Sequence, residues 1–219
     1  MNSIKNQPYK VVSIRELTPS TYSVRINRNG LPFKAGQHIS LGPIQGIDLR
    51  EYSVYSSEQD PFFEVLIREV IGGNISRKLK RLKPGDAVHL EGPVGYFNLN
   101  KDDINEKKFV FIATGTGIAP FHSFVKSYPN LDYQLIHGVK TAIEAYDRQD
   151  YDSSRHVLCT SQDKKGDFNG RVTQYLQQQP VDKDALYYLC GNINMIYEVF
   201  HYLQEKEVPA SNLHTEVYF

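Results

Sequence analysis

The stretch "FVFIATGTGIAPFHSF", residues 109–124, constrains this chain more than any other. An apolar run of strand character leads into two closely spaced glycines and then into a helical pattern, the outline of a loop that cradles phosphate. In dinucleotide-binding folds such a loop ordinarily follows the first strand of its domain. Here it begins halfway along 219 residues, so about a hundred residues of another purpose precede it.

The hydrophobic period changes between the two halves. From Tyr9 to Glu91 apolar residues come in short alternating runs ("YKVVSIREL", "TYSVRIN", "HISL", "FFEVLIREV", "DAVHLEG") separated by Gly, Pro and Asn turns. That spacing predicts an antiparallel barrel or sandwich. One helix interrupts it, "SRKLKRLK" at 76–83, with Ser76 as its N-cap and "PGD" closing it. The polar segment "NLNKDDINEKK" reads as a linker. Beyond it, strand-like runs "FVFIA", "YQLIHG", "HVLCT" and "LYYLCG" alternate with helical stretches at 118–128, 171–178 and 193–205. The last places Met195, Ile196, Val199, Phe200 and Leu203 on one face. Strands alternating with helices predict an α/β domain with a parallel sheet covered on both sides. The expected organisation is therefore a barrel or sandwich domain over 1–100 and a nucleotide-binding α/β domain over 108–219.

In "ATGTGIAP", Gly115 and Gly117 let the backbone turn sharply and approach a pyrophosphate, and the following helix offers free N–H groups. Pro120 stands where a third glycine is usual; in a first helical turn it forfeits only an N–H without a helical partner. Ligands of open α/β sheets bind at the carboxyl ends of the strands. Two further ends carry polar chemistry. "YYLCGNINM" delivers Cys190, Gly191 and Asn192, either a ligand-facing strand end or a buried cysteine followed by a helix cap. "HVLCTSQDKKGDFNGRV" offers Thr160, Ser161, Lys164, Lys165 and Arg171, either a grip on an adenosine ribose and its 2′-phosphate or a solvated polar loop.

The first half holds a second anion cradle. "LREYSVYSS" sets Arg50 and Tyr52 on one face of a short strand, with Ser53 beside them. A guanidinium next to a phenol suits a ligand with a phosphate at one end and a flat ring system at the other. About twenty residues on, "VIGGNIS" brings Gly72, Gly73 and Ser76 to the start of the short helix. Charge is distributed to match: residues 1–100 carry 13 Lys+Arg against 9 Asp+Glu, a net +4, while residues 101–219 carry 12 against 16, a net −4. The basic half is the one expected to face an anionic ligand or partner.

The order RxYS (Arg50 to Ser53), GGxxS (Gly72 to Ser76), GTGxxP (Gly115 to Pro120), CGN (Cys190 to Asn192) and a final "EVYF" resembles the ferredoxin–NADP reductase superfamily over nearly the whole chain. The resemblance implies an antiparallel FAD-binding β-barrel followed by an NAD(P)-binding domain. It implies that Arg50 binds the FAD pyrophosphate, Tyr52 stacks on the isoalloxazine, Ser53 sits near its N5, and Gly72, Gly73 and Ser76 hold the pyrophosphate from the other side. Tyr55 would contact the ribityl or adenine portion. Thr114, Gly115, Thr116 and Gly117 would cradle the nicotinamide nucleotide together with Gly191 and Asn192, with Thr160, Ser161 and Arg171 toward its ribose. Cys190 would approach the nicotinamide, Glu216 would lie by the reaction centre, and Tyr218 or Phe219 would cover a flavin face and move aside when nicotinamide enters.

The implied reaction is transfer of hydride from NAD(P)H to flavin N5, followed by release of single electrons to a carrier such as ferredoxin or flavodoxin. With Cys159 and Cys190 its only cysteines, the chain carries no four-thiolate iron–sulfur module, zinc site or disulfide framework, so the cofactor is expected to be organic and the acceptor separate. The cationic helix residues Arg77, Lys78, Lys80, Arg81 and Lys83 would steer an acidic carrier, or be a solvated face. Gln162 follows Ser161 where NADP-using relatives often have arginine; Lys164, Lys165 and Arg171 substitute for that charge, so NADPH is expected over NADH. An NAD(P)H:flavin reductase, the reductase component of a multicomponent oxygenase and a non-catalytic subunit of the same fold are the alternatives. No membrane insertion, no nucleic-acid partner and a cytoplasmic location are expected, since no run approaches a membrane span and the start lacks a secretion signal.

Overall fold

The computed structural model describes residues 8–44, 48–70 and 72–218, and the chain divides into two compact units, 1–98 and 99–219. Phe219, expected over a flavin face, lies outside the described residues.

The first unit is built from β1 (Tyr9–Thr18), β2 (Thr21–Asn27), β3 (His38–Pro43), β4 (Arg50–Ser53), β5 (Phe62–Arg68), helix α1 (Asn74–Lys80) and β6 (Ala87–Val94). The strands form one antiparallel sheet in the order β4-β3-β6-β1-β2-β5. A bridge between Val54 and Val65 joins the two end strands, and the Tyr55 N–H donates to the Glu64 carbonyl at 2.7 Å, so the sheet closes on itself. Closure leaves no unpaired edge between β4 and β5. The alternation explains the interior: Tyr22, Val24 and Ile26 of β2 face Phe63, Val65 and Ile67 of β5, joined by Ile39, Leu41, Val88 and Leu90, while Ile75 and Leu79 of α1 cover one end. Each such side chain contributes about 1.5–3 kcal/mol of burial.

The second unit contains β7 (Phe109–Thr114), α2 (Ala119–Ser127), β8 (Tyr133–Val139), β9 (His156–Thr160), the two-residue β10 (Phe168–Asn169), α3 (Val172–Leu176), β11 (Leu186–Asn192), α4 (Ile193–Glu205) and β12 (Leu213–Tyr218). All six strands are parallel, in the order β10-β9-β8-β7-β11-β12. The chain winds outward from β7 in one direction through β8, β9 and β10, then in the other through β11 and β12, so the topological switch point lies between β7 and β11. Phe111 stacks on Phe121 of α2 at 4.8 Å. On the other face Met195, Ile196, Val199 and Leu203 of α4 are buried, with Phe200 at the margin.

Three expectations shift. The helix of the first unit spans 74–80 with Gly73 as its N-cap, so Ser76 sits inside the first turn. Within the segment read as a linker, 98–108, Leu99 is buried. Helix α3 is shorter than 171–178, although turn hydrogen bonds carry on to Gln179.

Candidate functional site

At the switch point, β7 ends in Thr114 and passes through a 3₁₀ turn, Gly115–Ile118, directly into α2, with Pro120 buried in the first helical turn. Gly115 has φ +56°, a conformation open to glycine at little cost. Gly117 lies against the end of β11: a Cβ there would stand 2.5 Å from the Cys190 carbonyl oxygen and 2.7 Å from Gly191 Cα. Gly191 has φ +125°, and a Cβ on it would strike the Thr114 hydroxyl. That hydroxyl accepts a 2.9 Å hydrogen bond from the Asn192 N–H. The GTG and CGN motifs are thus one assembly, two strand ends held together by a threonine and by the missing side chains of two glycines, Gly117 and Gly191. Asn192 also caps α4, its Oδ1 accepting from the Asn194 N–H at 3.0 Å. The buried cysteine and the helix cap of the second reading are therefore both present.

Beside it, β11 and β12 pair in register so that Cys190 is opposite Glu216 and Asn192 opposite Tyr218. The Cys190 thiol, fully buried, points its hydrogen at Glu216 Oε2 at 3.9 Å. Burial pushes its pKa well above the usual range, and the neighbouring Glu216 carboxylate pushes the same way. The floor of this site is therefore a neutral thiol. Beneath the glycine turn, His137 of β8 is fully buried and its Nε2 lies 2.9 Å from the Gly115 carbonyl oxygen. Burial lowers its pKa to about 3. Sequence reasoning passed over His137; the signal was a histidine directly after the apolar pair Leu135-Ile136 in the strand run "YQLIHGV".

Thr160 differs from the expectation for a ligand-gripping hydroxyl. It is buried, donates to the Asp163 carbonyl at 2.8 Å and accepts from the Gly166 N–H at 3.2 Å, which closes the turn after β9. Ser161 is exposed and bonds the Val139 carbonyl. Arg171 is exposed at the start of α3, and Lys164 and Lys165 are exposed in the loop before it.

In the first unit, Arg50 is exposed, its guanidinium bonded at 3.0 Å to the neighbouring Leu49 carbonyl. Tyr52 is half-buried against the barrel core, and burial pushes its phenol up to about 12 against the opposing pull of Arg50. Ser53 is buried, and Tyr55 is fully buried, which sets it apart from the half-exposed Tyr52. The GGxxS segment opens a groove of about 370 Å³ lined by Gly72, Gly73, Asn74, Arg77, Lys78 and Arg81. Gly72, with φ +83°, makes the turn. Ser76 is buried and its Oγ accepts from the Val70 N–H at 3.2 Å, while its carbonyl accepts from the Tyr22 phenol. The Ser76 hydroxyl thus holds the loop closed from within. Arg77 and Lys80 pair with Glu69 at 3.4 and 3.2 Å; Lys78 and Arg81 form no ion pair among the described residues. A groove with two glycines and uncompensated cations fits a pyrophosphate.

Comparison with known proteins agrees with this two-site architecture. The oxidoreductase FAD-binding domain model matches residues 9–99, and the oxidoreductase NAD-binding domain model matches residues 111–200. The chain belongs to the ferredoxin–NADP reductase superfamily. It is an oxidoreductase of that superfamily that binds FAD and a nicotinamide nucleotide. It is 27% identical to a flavodoxin/ferredoxin–NADP reductase of Buchnera aphidicola, over 93% of this chain and 92% of the relative. It is 29% identical to the electron transfer component of toluate 1,2-dioxygenase of Pseudomonas putida, over 94% of this chain; the chain spans 66% of that relative's length. The crystal structure of a ferredoxin NADP+ reductase from Neisseria gonorrhoeae with bound FAD and NADP superposes with a TM-score of 0.84 at 25% identity, covering 97% of this chain and 98% of that one. Among the described residues no helix is long and apolar enough to cross a membrane.

Proposed function

We propose that this protein is a ferredoxin- or flavodoxin–NAD(P)+ reductase, passing electrons between NADPH and a separate one-electron carrier. The observation that carries the reading is the end-to-end match with the Buchnera flavodoxin/ferredoxin–NADP reductase, in which nearly the whole of each chain is covered. The two cysteines of this chain, both buried, supply no iron–sulfur ligands of its own. FAD, when bound, supplies the step between two-electron chemistry with nicotinamide and one-electron chemistry with the carrier.

The protein's residues bind, orient and shield. Arg50, Gly72 and Gly73 would hold the FAD pyrophosphate, joined by the uncompensated Lys78 and Arg81, and Tyr52, kept as a neutral phenol, would pack on the ring. Gly115 to Gly117 would hold the coenzyme phosphates at the start of α2. Cys190 would offer a small, neutral, polarizable surface to the nicotinamide, and Glu216 would keep a carboxylate beside it. Orientation and exclusion of water are then the main catalytic contributions.

NADPH rather than NADH is supported by charge at the carboxyl edge of β8 and β9. Lys140, Lys164 and Arg171 are exposed and form no ion pair among the described residues, while Lys165 is balanced by Asp163. A 2′-phosphate would compensate them. The second reading, a reductase component of a multicomponent oxygenase, is favoured by the toluate dioxygenase component among the relatives. Anaerobic titration of the FAD-loaded protein with each coenzyme, followed by cytochrome c reduction with and without added flavodoxin or ferredoxin, tests the proposal. Bleaching of the flavin by NADPH in preference to NADH, with carrier-dependent cytochrome reduction, is the expected outcome. Carrier-independent release of reduced free flavin would refute it.

A further inference from the structure

The glycine turn raises a question of backbone control. Gly115 sits at φ +56°, and a glycine peptide in such a turn has more than one orientation within easy reach. In a planar trans peptide the carbonyl of residue 115 and the N–H of residue 116 point in opposite directions. Whichever side takes the carbonyl, the other receives the N–H. A turn that is to hold an anion must therefore keep the Gly115 carbonyl turned inward, or its oxygen would face the phosphate and repel it.

His137 is placed to do this. It projects from β8, the neighbour of β7, where it pairs with Ala113, two residues before Gly115. Its Nε2 lies 2.9 Å from the Gly115 carbonyl oxygen. A carbonyl accepts only, so the ring hydrogen is on Nε2 and His137 is the donor. The ring is fully buried between His156 at 6.1 Å and Tyr146 at 6.1 Å, and its Nδ1 has no partner among the described residues. Flanked by rings, it has the Gly115 oxygen as its one hydrogen-bond partner among the described residues. Burial keeps the imidazole neutral across the physiological range, so the bond does not come and go with pH.

We propose that His137 is a positioning residue for coenzyme binding: its Nε2–H anchors the Gly115 carbonyl inside the sheet and so turns the Thr116 N–H outward toward the coenzyme phosphates. The proposal rests on the reading of the 115–118 turn as the coenzyme phosphate site. His137 does not touch the coenzyme; it sets the direction of a donor that does.

The test uses the full-length, FAD-loaded protein. His137→Phe keeps a ring of similar volume and loses the donor; His137→Gln keeps an N–H donor on a flexible stem; His137→Leu gives the same comparison if the Phe variant does not fold. The Phe variant is expected to raise KM for NADPH about tenfold, the scale of one lost hydrogen bond, with kcat changed less than about twofold and FAD content unchanged. The Gln variant is expected to recover most of the loss. Hydrogen exchange of segment 110–125, with and without NADP+, separates this claim from the one beneath it. If the wild-type segment gains no protection from NADP+, the reading of the turn as the phosphate site fails and the proposal falls with it. If the wild-type segment is protected but the Phe and Leu variants keep the wild-type KM, or the Gln variant is as impaired as they are, the role of His137 alone is refuted.

Discussion

Replacing Gly117 by alanine tests whether the GTG turn and the CGN strand end are one rigid assembly. The added Cβ would stand 2.5 Å from the Cys190 carbonyl oxygen and 2.7 Å from both the Cys190 carbonyl carbon and Gly191 Cα. These are about 1 Å short of the ~3.5 Å at which such atoms rest. All three are backbone, and β11 is paired on one side with β7 and on the other with β12, so the strand cannot yield without breaking two ladders. The turn must lift instead, or the strain must be held. Overpacking of this kind costs about 1–3 kcal/mol, and 2 kcal/mol corresponds to about 30-fold in an equilibrium constant. If the turn lifts, the cost appears as weaker coenzyme binding; if it stays, it appears as lower stability of the second unit. KM for NADPH and a urea unfolding curve, measured on one preparation, capture both, while the FAD absorbance ratio reports on the barrel and is expected to hold. A variant with KM within about twofold of wild type and stability within about 0.5 kcal/mol, the range of ordinary surface substitutions, would refute the packing argument.

The remaining predictions concern buried polar groups. His137 and His156, lowered by burial to about 3 and about 4, stay neutral in the folded chain, while the unfolded chain binds a proton at each below pH 6.5. The unfolded state thus holds more protons, so this stability is complete above pH 6.5 and is lost as pH falls, by about 2 kcal/mol for each at pH 5. Unfolding by urea at pH 7.5 and pH 5 measures the loss, and His156→Phe, which removes two ring nitrogens without a partner among the described residues, is expected to shrink it; an unchanged difference would count against it. Cys159, pushed up to about 12 by burial, and Cys190, also raised well above its usual value by burial, remain thiols when folded, whereas an unfolded chain ionises them near pH 9; stability therefore falls as pH rises past that point. Iodoacetamide at pH 8.5 is expected to label neither cysteine in the native protein and both in urea, and rapid native labelling would overturn the burial argument. Glu64 is buried in the barrel wall with Ser23 at 2.6 Å, Arg25 at 2.9 Å and Arg15 at 3.3 Å. Because both arginines are partly exposed, Glu64→Ala is expected to lower barrel stability by about 2–3 kcal/mol rather than by the larger cost of a fully buried pair, with KM for NADPH unmoved.

What the sequence made legible follows from what its patterns encode. A period of two against alternating strands and helices separates a closed barrel from a parallel sheet, because each layer architecture demands its own spacing of apolar residues. The motifs were legible as local backbone devices: Gly72, Gly115 and Gly191 all occupy positive φ. Their joining was not. Thr114 and Asn192 are 78 residues apart, and only the parallel register of β7 with β11 makes them neighbours. The internal partners of the hydroxyls were hidden for a related reason. Ser76, after the two glycines, and Thr160, before the turn that follows β9, both carry internal hydrogen bonds to nearby backbone groups, which short polar side chains in such places commonly satisfy. Glu64 was invisible because alternation marks it as facing away from the barrel interior but says nothing of the arginines that cover it.

The same contacts explain how the turn dispenses with a third glycine. In a GxGxxG loop the last glycine lets helix and strand approach closely. Here that approach is made one strand over, where Gly117 rests on Cys190 and Gly191 and the Thr114 side chain occupies the space a Cβ on Gly191 would need. Position 120 holds a proline, buried in the first turn of α2, which there gives up no helical hydrogen bond and restricts the unfolded chain. Rigidity at the switch point then comes from three sources that act on different atoms: the glycine contacts fix how far the turn stands from β11, Thr114 fixes β7 against β11, and His137 fixes which way the 115–116 peptide faces. Loss of any one leaves the other two in place, so single substitutions among them are expected to loosen coenzyme binding by partial steps.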